Sequence, residues 1–276
     1  MSASVSAPGR VTSGPAAASR LWLAAAGLAA VAVCLAPPVT TLAERYVIAE
    51  SVQFTVFAMV APALVVLGAP WRLLRLSRPG GADAPLDRLA ASRREQRSFL
   101  RAGIFLTVFM AVSLVWRLPP VMDALATQPA LVPAEMVTLL AAGAGLWLEL
   151  AASPPLAPRL PRPHRAAVAA LAMWFTWAVA YVAGFHNGAV FTAYGSVPGR
   201  AISLIADQEL AVAVIWAVAG LCFVPVVIVA MMGWLSGSGD ADEELQRIVR
   251  DTDQRAVVKG WGAPARGSRG GTRPAR

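Results

Sequence analysis

The sequence predicts an all-α polytopic membrane protein, a bundle of about six transmembrane helices with both termini cytoplasmic. Three observations carry this. Of 276 residues, 57% are apolar and 14% charged, whereas a soluble domain carries about 25% charged residues, and mean hydropathy is +0.58. The charges crowd into a few segments separated by apolar runs, each close to the roughly 20 residues that cross about 30 Å of hydrocarbon. The basic residues fall almost wholly on alternate connecting segments.

Residues 1–20 are small and polar, rich in Ser, Gly and Pro, and read as a disordered cytoplasmic tail. The membrane part covers residues 21–236. Its first apolar run is Leu21 to about Ala43, interrupted late by Pro37–Pro38. Arg20 ahead of that run, with Thr41-Leu42-Ala43 at its end, also resembles a signal peptide, but the run is long for one. The second span is about Val47 to Pro70, the third Ala102 to Trp116 with a start as early as Phe99, and the fourth Leu131 to Ala151. The fifth is Ala166 to Phe185 and the sixth Glu209 to Leu235. Between the second and third lies a basic loop, 71–101, and residues 237–276 form a charged, Gly-rich cytoplasmic tail.

Orientation follows from arginine and lysine. Placing the N-terminus inside puts all but three of the 24 basic residues on inner segments, the exceptions being Arg45, Arg117 and Arg200. The net charge of +8 is therefore topological. It excludes nucleic acid as the expected partner and leaves anionic lipid headgroups at the basic inner loops as the natural one. The expected location is the cell inner (cytoplasmic) membrane, as a multi-pass protein.

The residues of chemical interest are ionisable groups at helix ends, because a charge in hydrocarbon is costly and marks a function or a partner. Glu50, Glu135, His186 and Asp207 each stand at the outer end of a different helix, with Gln208 and Glu209 beside Asp207. With Gln53 they form a candidate outer-face metal site, expected to gather within about 10–12 Å, one helix diameter. The alternative for each is a helix-end residue wetted by headgroups, with Asp207 as an N-cap. Glu149, at the inner end of the fourth helix, is expected to snorkel or pair with an arginine. Cys34 and Cys222 lie inside helices without metal-ligand spacing. They read as packing residues, although they and Met59 and Met136 are soft enough for Cu(I). Gly143 and Gly145 suit close helix approach, and Pro62 and Pro225 suit local loosening of their helices. No Walker loop, Ser/His/Asp set or HExxH occurs, and the sequence suggests no enzyme.

Two strings carry a resemblance. Met59-Val-Ala-Pro-Ala-Leu-Val-Val-Leu-Gly-Ala-Pro70, with its lead-in from Pro38 to Gln53, resembles the second helix of the CtaG family of cytochrome c oxidase assembly proteins. Ala206-Asp207-Gln208-Glu209-Leu210-Ala211 with Ile215-Trp216 is similar to that family's last helix start, and Glu243-Glu244 fits the segment after it. The resemblance implies a membrane-integral factor that matures haem-copper oxidase, with cytochrome c oxidase subunits as partners and copper, delivered at the outer face, as the associated metal. The family carries His-Met-x-Gln-His in its second helix, and the two histidine positions are Glu50 and Phe54 here, with Gln53 retained. A further family histidine has Glu135 or Met136 near its place, and family members often show seven helices. Carboxylate is a hard ligand, poorly matched to Cu(I). Two other classes stand beside this one. A small-solute or ion transporter would use Glu50, Glu135 and Asp207 as an acidic path, but no internal repeat accompanies it. A structural accessory subunit of a respiratory complex would bind no metal.

Overall fold

The structure, a computed structural model, describes residues 15–72, 98–153, 156, 158, 160–184, 188 and 190–236. Among these residues everything regular is helical, apart from an isolated bridge between Ser153 and Leu156. Five helices are long and apolar enough to cross a membrane, and a bent pair makes a sixth. The chain divides into two units, residues 1–231 and 232–276. Of the second, the described part is the end of the last helix, where Ser236 N donates to Met232 O at 2.8 Å. The predicted tail 237–276, most of the basic loop 71–101 and the first fourteen residues lie outside the described residues.

The bent pair is α1 (Pro15–Cys34) and α2 (Pro37–Ala43), which meet at 61°. The bend has a local cause. Ala36 precedes a proline, which disfavours helical backbone, and it sits extended at φ −67°, ψ 141°. Pro37 then opens α2, where its missing N–H costs nothing. The second span is α3 (Val47–Thr55), a π-helical turn at Val56–Val60, and α4 (Ala61–Gly68). The wider turn lets the helix pass Pro62, which cannot donate to Ala58 O. This span is the centre of the bundle: 67% of it is buried, against 22–39% for the other four long helices.

Around it stand α5 (Ser98–Arg117), α7 (Val132–Leu150), α8 (Arg162–Gly184) and α10 (Leu204–Leu235). Two short helices, α6 (Pro119–Thr127) and α9 (Thr192–Gly195), lie in the outer connections. The third, fifth and sixth spans each begin earlier than the hydropathy runs do. Their first turns carry polar residues, Arg101, Arg162 and Asp207 among them, so apolarity understates their length. Gly143 explains the close seating of α7 on the central span, since a Cβ there would collide with Ala58 O and Pro62. The core runs through Phe57, Met59, Phe109, Leu146 and Trp147, with Trp147 stacked on Phe223 at 5.7 Å. Leu221, Val182 and Val229 point outward and are more than two-thirds exposed, as side chains facing lipid are.

The end that the basic residues predict to be inner is held by an ion pair. Arg101 Nε and Nη2 donate to Glu149 Oε1 and Oε2 at 2.8 and 2.9 Å, a bidentate fork between α5 and α7. Glu149 thus pairs with an arginine. Ser153 Oγ also donates to Val66 O, tying the end of α7 to α4.

Candidate functional site at the outer helix ends

The outer end is built from the first turns of α3, α7 and α10 and the last turn of α5. Acidic residues in a helix's first turn and a basic residue in its last turn both complement the helix dipole. Glu50, Glu135 and Asp207 occupy the first turns, and Arg117 the last. The antiparallel arrangement of α5 against α3 and α7 therefore brings opposite charges together.

Arg117 is the centre. Its Nη1 donates to Glu50 Oε2 at 2.6 Å and lies 3.5 Å from Met122 Sδ, and its guanidinium covers the Phe54 ring at 4.1 Å. Glu50 and Phe54 are one turn apart on the same face of α3, so one cation meets both. The Glu135 carboxyl lies within hydrogen-bonding reach of Glu50 and near Arg117. All three charged residues are buried, with Glu135 at 1% exposure. Glu50 Oε1 and Glu135 Oε1 receive no N–H or O–H from the protein. Arg117 Nε and Nη2 likewise make no hydrogen bond within the protein, and a small cleft lined by Phe54, Ser113, Phe175, Thr176 and Ile215 borders them.

Asp207 serves a different purpose. Its Oδ2 accepts from Val47 N at 2.8 Å and its Oδ1 from Ile48 N at 2.9 Å. These are among the amides that α3 cannot satisfy itself. Asp207 therefore caps another helix, and Arg200 Nη2 neutralises it at 2.6 Å. Arg200 Nη1 also donates to Arg45 O and Tyr194 O at 2.5 and 2.8 Å, with the guanidinium 5.1 Å over the Tyr46 ring. The loop before α10 is thereby fastened to the start of α3. Gln208 Oε1 accepts from Val190 N at 2.9 Å and Phe191 N at 3.3 Å. Asp123 holds α9 through Thr192 Oγ1 and Ala193 N, each at 3.0 Å.

The five residues expected to form one cluster are thus distributed. Glu50 and Glu135 come together. Asp207 reaches the same helix start from the other side through Val47 and Ile48. Gln53 is turned inward, its Nε2 donating to Cys34 O at 2.6 Å, which satisfies a carbonyl at the broken end of α1. His186 lies outside the described residues. Sequence reasoning counted Arg117 only as an outer basic residue. Its signal was that, like Arg45 and Arg200, it stands outside the inner segments, and that it directly ends an apolar helix. Tyr194, buried among Val47, Met122 and Leu125, was also missed. Burial, reinforced by the negative charge of Glu50, pushes its phenol well above the usual tyrosine range.

As a copper site the described residues fit poorly. Cu(I) prefers thiolate, thioether and imidazole, and the donors here are carboxylate oxygens and one thioether, Met122 Sδ, which is in contact with Arg117 Nη1. Glu50 is committed to Arg117, Gln53 to Cys34, and Asp207 to two amides and Arg200. Among the described residues no three His, Cys, Asp or Glu side chains converge as metal ligands would.

The family model described as cytochrome c oxidase caa3 assembly factor (Caa3_CtaG) matches residues 5–236. No curated protein and no solved structure matches the chain.

Proposed function

Because the chain belongs to the cytochrome c oxidase caa3 assembly factor family, we propose that it acts in the cytoplasmic membrane as a non-enzymatic chaperone that contacts cytochrome c oxidase subunits during their maturation. The observation that carries this reading is the reach of the family match, which includes the five long apolar helices, the bent pair and the outer-end cluster together. The geometry supports a scaffold more than a transporter. Of the acids that would line an ion path, Glu50 is tied to Arg117 and Asp207 to Arg200, and breaking such buried pairs to pass an ion is costly. The outer end, with α6, α9 and the loop before α10 fastened over the helix ends, offers a rigid face to a partner. The donor chemistry of the outer cluster gives copper no place in this account.

The test is a deletion strain. Loss of haem-copper oxidase absorbance and activity, restored by the intact chain, is the expected result, together with recovery of oxidase subunits when the tagged chain is purified from mild detergent. Normal oxidase in the deletion strain and no subunit recovered would overturn the assembly role.

A further inference from the structure

We infer that the guanidinium of Arg117 is the resident cation of the outer-end site, occupying the place between Glu50 and Phe54 that a metal ion would have to take, so that the site is closed to copper. The place is defined by α3. Side chains one turn apart on a helix face the same way, and Glu50 and Phe54 present a carboxylate and an aromatic face to one point. Both surfaces attract a cation, the carboxylate by charge and the ring by its quadrupole. Arg117 stands there, at 2.6 Å from Glu50 Oε2 and 4.1 Å above the ring.

The guanidinium is held through Nη1 and through its face on the Phe54 ring. Arg117 is 6% exposed and projects from the last turn of α5, where the helix dipole favours positive charge. Met122 Sδ, the soft donor at the site, is in contact with Nη1. A copper ion entering between these residues would set two positive charges side by side in a water-poor interior, where like charges repel far more strongly than in water. Glu135 does not reopen the site. Its carboxyl is turned to Glu50, and it supplies hard oxygen where Cu(I) takes soft donors. Metal uptake is measured without any oxidase, so this inference and the assembly role fail separately.

The experiment uses the full chain in detergent under anaerobic conditions. Cu(I) is offered in competition with a chromophoric chelator, to the intact chain and to a Glu50→Gln, Glu135→Gln double variant. The expected result is that neither withholds copper from the chelator. One Cu(I) per intact chain, lost in the double variant, would overturn the inference. The converse uses Arg117→Met, which empties the place of its cation while keeping an apolar stem. Its unfolding temperature is expected to fall, and added Zn²⁺, a cation that carboxylates do bind, to raise it again while leaving the parent unchanged. A variant indifferent to Zn²⁺ would overturn the claim that Arg117 stands where a cation binds. Should Arg117→Met not fold, Arg117→Lys, which keeps the charge, is expected to fold and to ignore Zn²⁺; stabilisation of the lysine variant by Zn²⁺ would overturn the inference equally.

Discussion

Asp207 caps Val47 from 160 residues away, its carboxylate accepting the first free amides of α3 while Arg200 neutralises it. A helix in the bilayer has no water at hand for its unpaired amides, and each such group left alone in hydrocarbon costs several kcal/mol. The last span of the chain thus supplies the start of the second. Asp207→Ala is expected to lower stability by about 3–5 kcal/mol, the usual cost of breaking a buried charge pair from one side. Asp207→Asn keeps an acceptor for one amide and should lose less. Thermal unfolding in detergent, followed by circular dichroism, measures both; equal losses would show that the charge, not the cap, carries the contact.

Glu50 and Glu135 look alike in the sequence but should respond oppositely. Glu50→Gln leaves Arg117 buried without its anion and is expected to cost about 3–5 kcal/mol. Glu135→Gln removes a carboxyl that crowds Glu50 and puts an amide donor within its reach, so it should be neutral or stabilising. The pair of unfolding temperatures decides the matter. Equal losses would mean that Arg117 divides its charge evenly between the two.

The glycines of the membrane helices grade themselves by what a methyl group would touch. At Gly143 it meets backbone, Ala58 O, which cannot move aside. Gly143→Ala is expected to cost about 1–3 kcal/mol, as overpacking does. At Gly145 it meets the Phe105 ring, a side chain able to turn, and the loss should be smaller. At Gly103 nothing lies within 4 Å, and alanine should stabilise α5 by up to about 1 kcal/mol through propensity alone. The order of the three unfolding temperatures is the readout.

The inner ion pair sits against both helix dipoles, Arg101 in the first turn of α5 and Glu149 in the last turn of α7. Their mutual contact compensates this. Glu149→Gln alone is expected to destabilise by about 3–5 kcal/mol, while Arg101→Leu with Glu149→Leu should recover most of the loss or exceed the parent, since apolar replacements of buried pairs often stabilise by about 1–4 kcal/mol. A double variant as unstable as the single one would show that the fork itself is required for folding.

Hydropathy made the six spans legible, together with the depth of Glu50, Glu135 and Asp207 along their helices. Depth is a one-dimensional quantity, read by counting residues. Azimuth is not, because it depends on which neighbour each face meets. Gln53 and Glu50 stand less than one turn apart, yet one serves the broken end of α1 and the other serves Arg117. Nothing in their spacing separates those roles. The 61° bend between α1 and α2 was half visible, as Pro37–Pro38 in an otherwise continuous run. The π turn was visible only as Pro62. Helices α6 and α9 fall between the apolar runs, since segments of nine and four residues carry no periodic signal of their own, and Asp123 and the bundle hold them. Arg117 was hidden by a correct rule: the positive-inside bias treats an outer arginine as an exception, and here the exception is the hub.

On the lipid-facing side, Trp177 Nε1 donates to Trp216 O at 3.1 Å and Trp216 Nε1 donates to Trp177 O at 3.3 Å. Each indole is anchored on the main chain of the opposite helix, with the two rings 5.7 Å apart. Such a crossed clasp acts like meshed teeth. Sliding α8 past α10 by a helical turn of about 5.4 Å would unmesh both bonds at once, in hydrocarbon that supplies no replacement acceptors for the indole N–H groups. The two bonds therefore favour one vertical register of α8 against α10.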